Sequence, residues 1–161
     1  MDAKTVALSS VFATGVAIAT LAVSIPVGLG YLNFGEIVIY TAAFLFGEIV
    51  GGIAGGVGAA AADLILGFAM YSPITLVVKG LEGYDVGRVS GRSTKSKLLA
   101  VGLGAPIMII GYTLARAYFE GIPAAIFQEL PIDILQATVG LAVALPLSRE
   151  LKSRIPQLSH D

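Results

Sequence analysis

Two carboxylates and one ammonium fall inside long apolar runs, and these are the first residues of the chain that could do chemistry: Asp63, Lys79 and Asp133. A charge in such surroundings is expensive, so it is normally paired or functional. Asp63 and Lys79 fall mid-run on adjacent segments, and their position and sign predict a structural ion pair that locks those segments together. Asp133 has no such neighbour and is too short to reach a polar boundary. Glu48 and Glu82 fall nearer the ends of their runs, which predicts solvated or helix-end roles.

A second group of polar and aromatic residues gathers at one end of the apolar runs. Tyr31, Asn33 and Glu36 come from one connection, and Tyr71 and Thr75 from around the next. Tyr112, Arg116 and Glu120 are spaced by four, so they share one helical face. Gln128 precedes Asp133 and Gln136, which are three apart and share another face. Such residues can converge on a mostly apolar cavity with a few polar groups, the usual form of a small-molecule site. The candidate substrate-binding set is therefore Tyr31, Asn33, Glu36, Tyr71, Thr75, Tyr112, Arg116, Asp133 and Gln136. The competing reading puts Tyr, Arg and Glu in a belt at the membrane interface.

Other chemistries have less support. The chain has no Cys, so thiol nucleophiles, disulfides and thiolate metal sites are excluded. The single His, His160, stands in a polar tail. No metal cluster, cofactor motif or Gly-x-x-x-x-Gly-Lys-Ser/Thr phosphate loop is present. Net charge is −1, and nothing suggests nucleic-acid binding. An intramembrane lipid-modifying enzyme would need Asp63 and Asp133 as an acid–base pair, yet the two are expected at different depths. An autonomous carrier would be expected to show an inverted repeat, and none is evident.

The elements that must position these residues follow from composition. Of 161 residues, 56% are hydrophobic and 13% charged, against about 25% charged in a soluble domain. Apolar runs predict an all-α integral membrane protein of one domain, 1–161, with six spans at about 4–25, 36–48, 52–71, 73–87, 98–119 and 132–147. Pro26 ends the first span, Pro73 starts the fourth and Pro106 interrupts the fifth. Gly47, Gly51 and Gly55, with Gly52 and Gly56 beside them, form small-residue ladders that allow close helix approach. Lys4, Arg88, Arg92, Lys95, Lys97, Arg149, Lys152 and Arg154 all fall on one side of a six-span topology, which makes both termini cytoplasmic in a multi-pass cell-membrane protein. A five-span arrangement, with 73–87 not crossing, misplaces only Lys4.

Three stretches carry a family resemblance: GYLNFGE at Gly30–Glu36, the run 61–83 (AADLILGFAMYSPITLVVKGLEG), and LPIDILQATVG at 130–140. On these the chain resembles the substrate-binding S components of energy-coupling factor (ECF) vitamin transporters, in the group of riboflavin, pyridoxine and hydroxymethylpyrimidine binders. The resemblance implies capture of a small water-soluble vitamin or precursor, with a transmembrane coupling subunit and two ATPase subunits as partners. It also implies docking through small residues of the first span, here Ala13 and Ala17 with Gly15 one step round. The family usually has Asp where Glu36 stands and often Asn where Asp133 stands. A carboxylate at 133 accepts but does not donate when ionised, which favours a ligand bearing an amine or a protonated ring nitrogen.

Overall fold

Asp2 accepts a hydrogen bond from the Thr5 amide at 2.8 Å and starts α1 (Ala3–Ala22). In the computed structural model, which describes residues 1–28 and 30–154, the chain then becomes extended. Strands β1 (Ser24–Val27) and β2 (Gly30–Asn33) pair antiparallel, Pro26 opposite Tyr31. The stretch 28–35 includes Gly28, Gly30 and Gly35 and would suit a loop. Half of it is strand, because its backbone groups pair with the residues that follow α1.

The helix α2 (Gly35–Leu66) is broken at Gly47, where φ is 81° and ψ is −165°. Only glycine adopts that backbone conformation without strain. The break is a reversal. A Cβ at Gly51 would lie 2.8 Å from the Ala43 Cβ, and one at Gly55 would lie 3.3 Å from the Ile39 Cγ2. A straight helix would hold those pairs about 12 Å and 24 Å apart. The arms 35–46 and 48–66 therefore lie against each other.

Tyr71 precedes α3 (Ser72–Val89), with Pro73 in its first turn as the sequence predicts. The glycine ladders of the second arm face α3: a Cβ at Gly51 would come 2.6 Å from the Gly83 carbonyl oxygen, and one at Gly56 would come 2.7 Å from that of Leu76. Such backbone proximity requires that the second arm carry no side chain at these positions. Ser93 caps α4 (Thr94–Glu120), which continues through Pro106. Gly121 turns the chain into α5 (Ile122–Ala124), a π-helical turn (Ala125–Glu129) and α6 (Leu130–Arg154). Residues 120–130 fall between two of the expected spans, and short helical turns fill most of that stretch.

Four stretches among the described residues are long and apolar enough to cross a membrane: Ala3–Ala22, Gly35–Leu66, Thr94–Glu120 and Ile122–Arg154. α3 is less apolar because it carries Lys79, Glu82, Asp85 and Arg88. Lys79 and Glu82 are buried against the other helices. One end of the bundle gathers the basic residues of α4 and α6, where Lys97 donates to Ser148 at 3.0 Å and Arg149 donates to Thr94. The hairpin, the 67–71 turn and the π-helical turn occupy the other end.

Candidate functional site

The hairpin is tied down at three points, and a cavity lies beneath it. Tyr31 donates its hydroxyl to Asp63 on the second arm of α2. The Asn33 amide and side-chain nitrogen both donate to Gln136 Oε1 on α6, at 2.9 and 2.6 Å. Arg116 donates to the Val27 carbonyl at 2.9 Å and to Gln128 Oε1 at 2.9 Å. Burial, and then the Asp63 carboxylate beside it, hold the Tyr31 phenol above its ordinary pKa, so it stays a hydrogen-bond donor.

The cavity has a volume of about 50 Å³. Tyr31, Asn33, Glu36, Tyr71, Thr75, Tyr112, Asp133 and Gln136, all from the candidate set, line it together. They arrive from the hairpin, the 67–71 turn and four helices. Tyr112 donates to Thr75 Oγ1 at 3.0 Å and so joins α4 to α3. Gln136 lies over Asp133, with its amide nitrogen 3.5 Å from Oδ1. Tyr31 packs on Phe68 with ring centroids 5.1 Å apart, and Tyr71 on Phe119 at 5.4 Å. Phe68, Thr20 and Glu129 also line the cavity and went unnoticed in the sequence reading. Only the fold brings them in: the π-helical turn, for instance, positions Glu129.

Arg116 stands apart from the lining. It is fully buried, its Nε 2.8 Å from Glu120 and its Nη1 3.3 Å from Glu129. With its bond to Val27 it holds the hairpin against the 121–129 segment. Its position is that of a clamp above the cavity.

The expected Asp63–Lys79 pair is corrected by the structure. Lys79 lies between Glu36 and Glu82, bonded to the first and 3.4 Å from the second, and it also touches Met108. The reversal at Gly47 carries Glu36 on the first arm to α3, which depth along the sequence could not reveal. Glu82 is likewise corrected: it is fully buried and accepts from the Tyr40 hydroxyl at 2.7 Å. Asp63, Lys79 and Glu36 all line the cavity. Glu36 Oε2, Asp63 Oδ2, Asp133 Oδ2 and the Tyr71 hydroxyl have no hydrogen-bond partner among the described residues.

On α1, Ala13 is buried against the second arm of α2, where a Cβ at Gly58 would overlap its carbonyl oxygen. Gly15 approaches Val38, and Ala17 is half-buried. Among the described residues no group of acids and histidines is arranged to hold a metal ion.

Comparison with known proteins bears on family and fold. The family model described as "ECF-type riboflavin transporter, S component" matches residues 1–153. A Pyrococcus woesei protein described only as lying in a gap 3′ region is 42% identical over 135 residues, which are 83% of this chain and 90% of that protein. The thiamine precursor transporter HmpT of Lactococcus lactis subsp. cremoris is 35% identical over 113 residues, 70% of this chain and 64% of that one. A solved structure of the S component of a bacterial ECF transporter superposes with a TM-score of 0.68 at 21% identity, covering 94% of this chain and 97% of the other.

Proposed function

We propose, from the premise that this chain belongs to the family of ECF-type riboflavin transporter S components, that it captures a small water-soluble vitamin or vitamin precursor at the cavity under the hairpin. It is a membrane-embedded transporter subunit and not an enzyme. The observation that carries the reading is the convergence of Tyr31, Asn33, Tyr112, Asp133 and Gln136 on one cavity beneath a tied hairpin. The tyrosines supply aromatic surface against a flat ring. Asn33, Asp133 and Gln136 orient it by hydrogen bonds. About 50 Å³ corresponds to roughly four water positions, which suits a single ring better than a fused tricyclic one. The L. lactis relative supports a vitamin-precursor substrate.

Release into the cell falls to a transmembrane coupling subunit driven by two ATPases, since the chain has no phosphate loop. Co-expressed with such a module, the tagged protein retrieves those subunits and supports uptake of labelled vitamin precursor. A chain that retrieves no partner and supports no uptake contradicts the assignment.

Six crossings follow if the two arms of α2 each traverse the membrane with α1, α3, α4 and α6. The basic ends of α4 and α6 then face the cytoplasm with both termini. The chain has no native Cys, so labelling is unambiguous. In intact cells Ala3→Cys and Gly91→Cys resist an impermeant thiol reagent, whereas Met70→Cys reacts. Labelling at residue 3 alone among the first two selects five crossings.

Docking on the coupling subunit is assigned to the small-residue stripe of α1: Ala13, Gly15 and Ala17. Ala13 is already buried inside this chain, so Ala17→Trp is the discriminating change. It abolishes co-purification with the coupling subunit while ligand binding persists, because a large side chain blocks close helix approach. Loss of ligand binding in folded Ala17→Trp protein assigns the stripe to internal packing instead.

A further inference from the structure

The sequence assigned Asp63 to an ion pair, and among the described residues the structure shows none for it. Of the residues lining the cavity, Glu36, Asp63, Glu129 and Asp133 are acidic, and Lys79 is the one base. Lys79 is held by Glu36 and Glu82, and Glu129 faces Arg116. Asp63 and Asp133 therefore make no ion pair among the described residues, although they are 3% and 1% exposed. Each also keeps one carboxylate oxygen without a donor. A buried ionised carboxylate without a cation or a full set of donors is costly. The ammonium of Lys79 is committed to Glu36 and Glu82, so among the described residues the cavity offers Asp63 and Asp133 no cation of their own.

We infer that Asp63 and Asp133 together select a cationic, amine-bearing heteroaromatic ligand, and that Asp63 is a ligand-binding residue of the site. The inference rests on the cavity being the capture site proposed above. The ligand supplies the missing donors at two points. Asp133, on α6, takes one N–H. Asp63, on the second arm of α2, takes another through the oxygen that Tyr31 does not occupy. Tyr31, Phe68, Tyr71 and Tyr112 are among the lining residues, and aromatic rings favour a cation. A neutral ring of the same shape leaves both carboxylates unpaired or forces them to take up protons. Because Tyr31 holds Asp63 from the hairpin, a ligand bound to Asp63 is also bonded indirectly to the cover of its own cavity.

Calorimetric titration of the purified full-length protein tests this with three probes: 4-amino-2-methylpyrimidine, its 4-hydroxy counterpart and riboflavin. The aminopyrimidine binds most tightly. Asp63→Asn and Asp133→Asn each weaken it by roughly 10- to 100-fold, the effect of losing a hydrogen bond to a charged group, and change the hydroxypyrimidine far less. Tyr31→Phe separates the bond to the hairpin from the charge. It keeps Asp63 and retains the preference for the amine, whereas Asp63→Asn removes it. Equal affinity of wild-type protein for the amino and hydroxy probes overturns the proposal. So does an unchanged aminopyrimidine affinity in folded Asp63→Asn protein. A preference for riboflavin overturns the charge class and leaves the capture function standing. Binding of none of the probes, together with no co-purifying small molecule, removes the capture site itself.

Discussion

Lys79→Met lowers the stability of the detergent-solubilised protein by about 3–5 kcal/mol, the range for breaking a buried ion pair by removing one partner. The ammonium lies between the Glu36 and Glu82 carboxylates, which are 1% and 0% exposed. Without it, two acids remain buried with a single neutral donor, the Tyr40 hydroxyl, on one of them. Adding Glu36→Gln to Lys79→Met recovers part of the loss, since one of the stranded charges disappears. Adding Asp63→Asn does not, because Asp63 is bonded to Tyr31 and not to Lys79. Thermal unfolding of the single and double variants measures the coupling directly. Recovery with Asp63→Asn, and none with Glu36→Gln, restores the pairing suggested by sequence position and contradicts the geometry described above.

Gly83→Val is expected to destabilise the fold by at least the ~1–3 kcal/mol typical of overpacking and to abolish ligand binding with it. A Cβ at Gly83 overlaps the Gly51 carbonyl oxygen, a backbone atom that cannot rotate away. Relief of the clash moves α3 off the second arm of α2, and α3 carries Thr75 and Lys79 into the cavity. Gly102→Ala is the matched control. Nothing lies within 4 Å of its added Cβ, so it leaves stability unchanged or raises it through better helix propensity. Equal effects of the two substitutions on unfolding and on calorimetric binding remove the close helix approach from the account.

How much of this was legible beforehand depends on what kind of information each residue carries. Helix limits at Pro73 and at the ends of the apolar runs are local, and the sequence shows them. Placement of Tyr31, Asn33, Asp133 and Gln136 at one end of the bundle follows from topology, because each stands near a non-basic connection. Hairpin strands of four residues each are too short to show alternation, and glycines among them suggest a loop. The partner of Lys79 was not legible, since depth in an apolar run says nothing about which helix face meets which. A single backbone conformation, the one at Gly47, turns the first arm back and brings Glu36 to Lys79. Arg116 was grouped with its helical neighbours by spacing alone. The spacing is real, and its ion pair with Glu120 has it. The rest of the guanidinium is engaged by Val27, Gln128 and Glu129, which come from other segments. His160 lies outside the described residues.

The departure at position 133 gains meaning from its surroundings. A carboxylate there could have been neutralised by a neighbouring base. The structure puts Gln136 beside it and commits Lys79 elsewhere. Asp63 then adds a second acceptor to the same cavity. On the proposal made above, charge selection is a property of the whole site and not of Asp133 alone.

Native mass spectrometry of the gently solubilised protein tests the central claim most directly, because a tight binder retains its ligand through purification. The account predicts one small molecule per chain, lost on denaturation, whose mass identifies a single-ring, nitrogen-bearing vitamin or vitamin precursor. Release of that species should fall sharply when Asp133→Asn protein is purified in the same way. Protein that carries only phospholipid, or that retains the same small molecule after Asp133→Asn, Asn33→Ala and Tyr112→Ala, contradicts the cavity under the hairpin as the capture site.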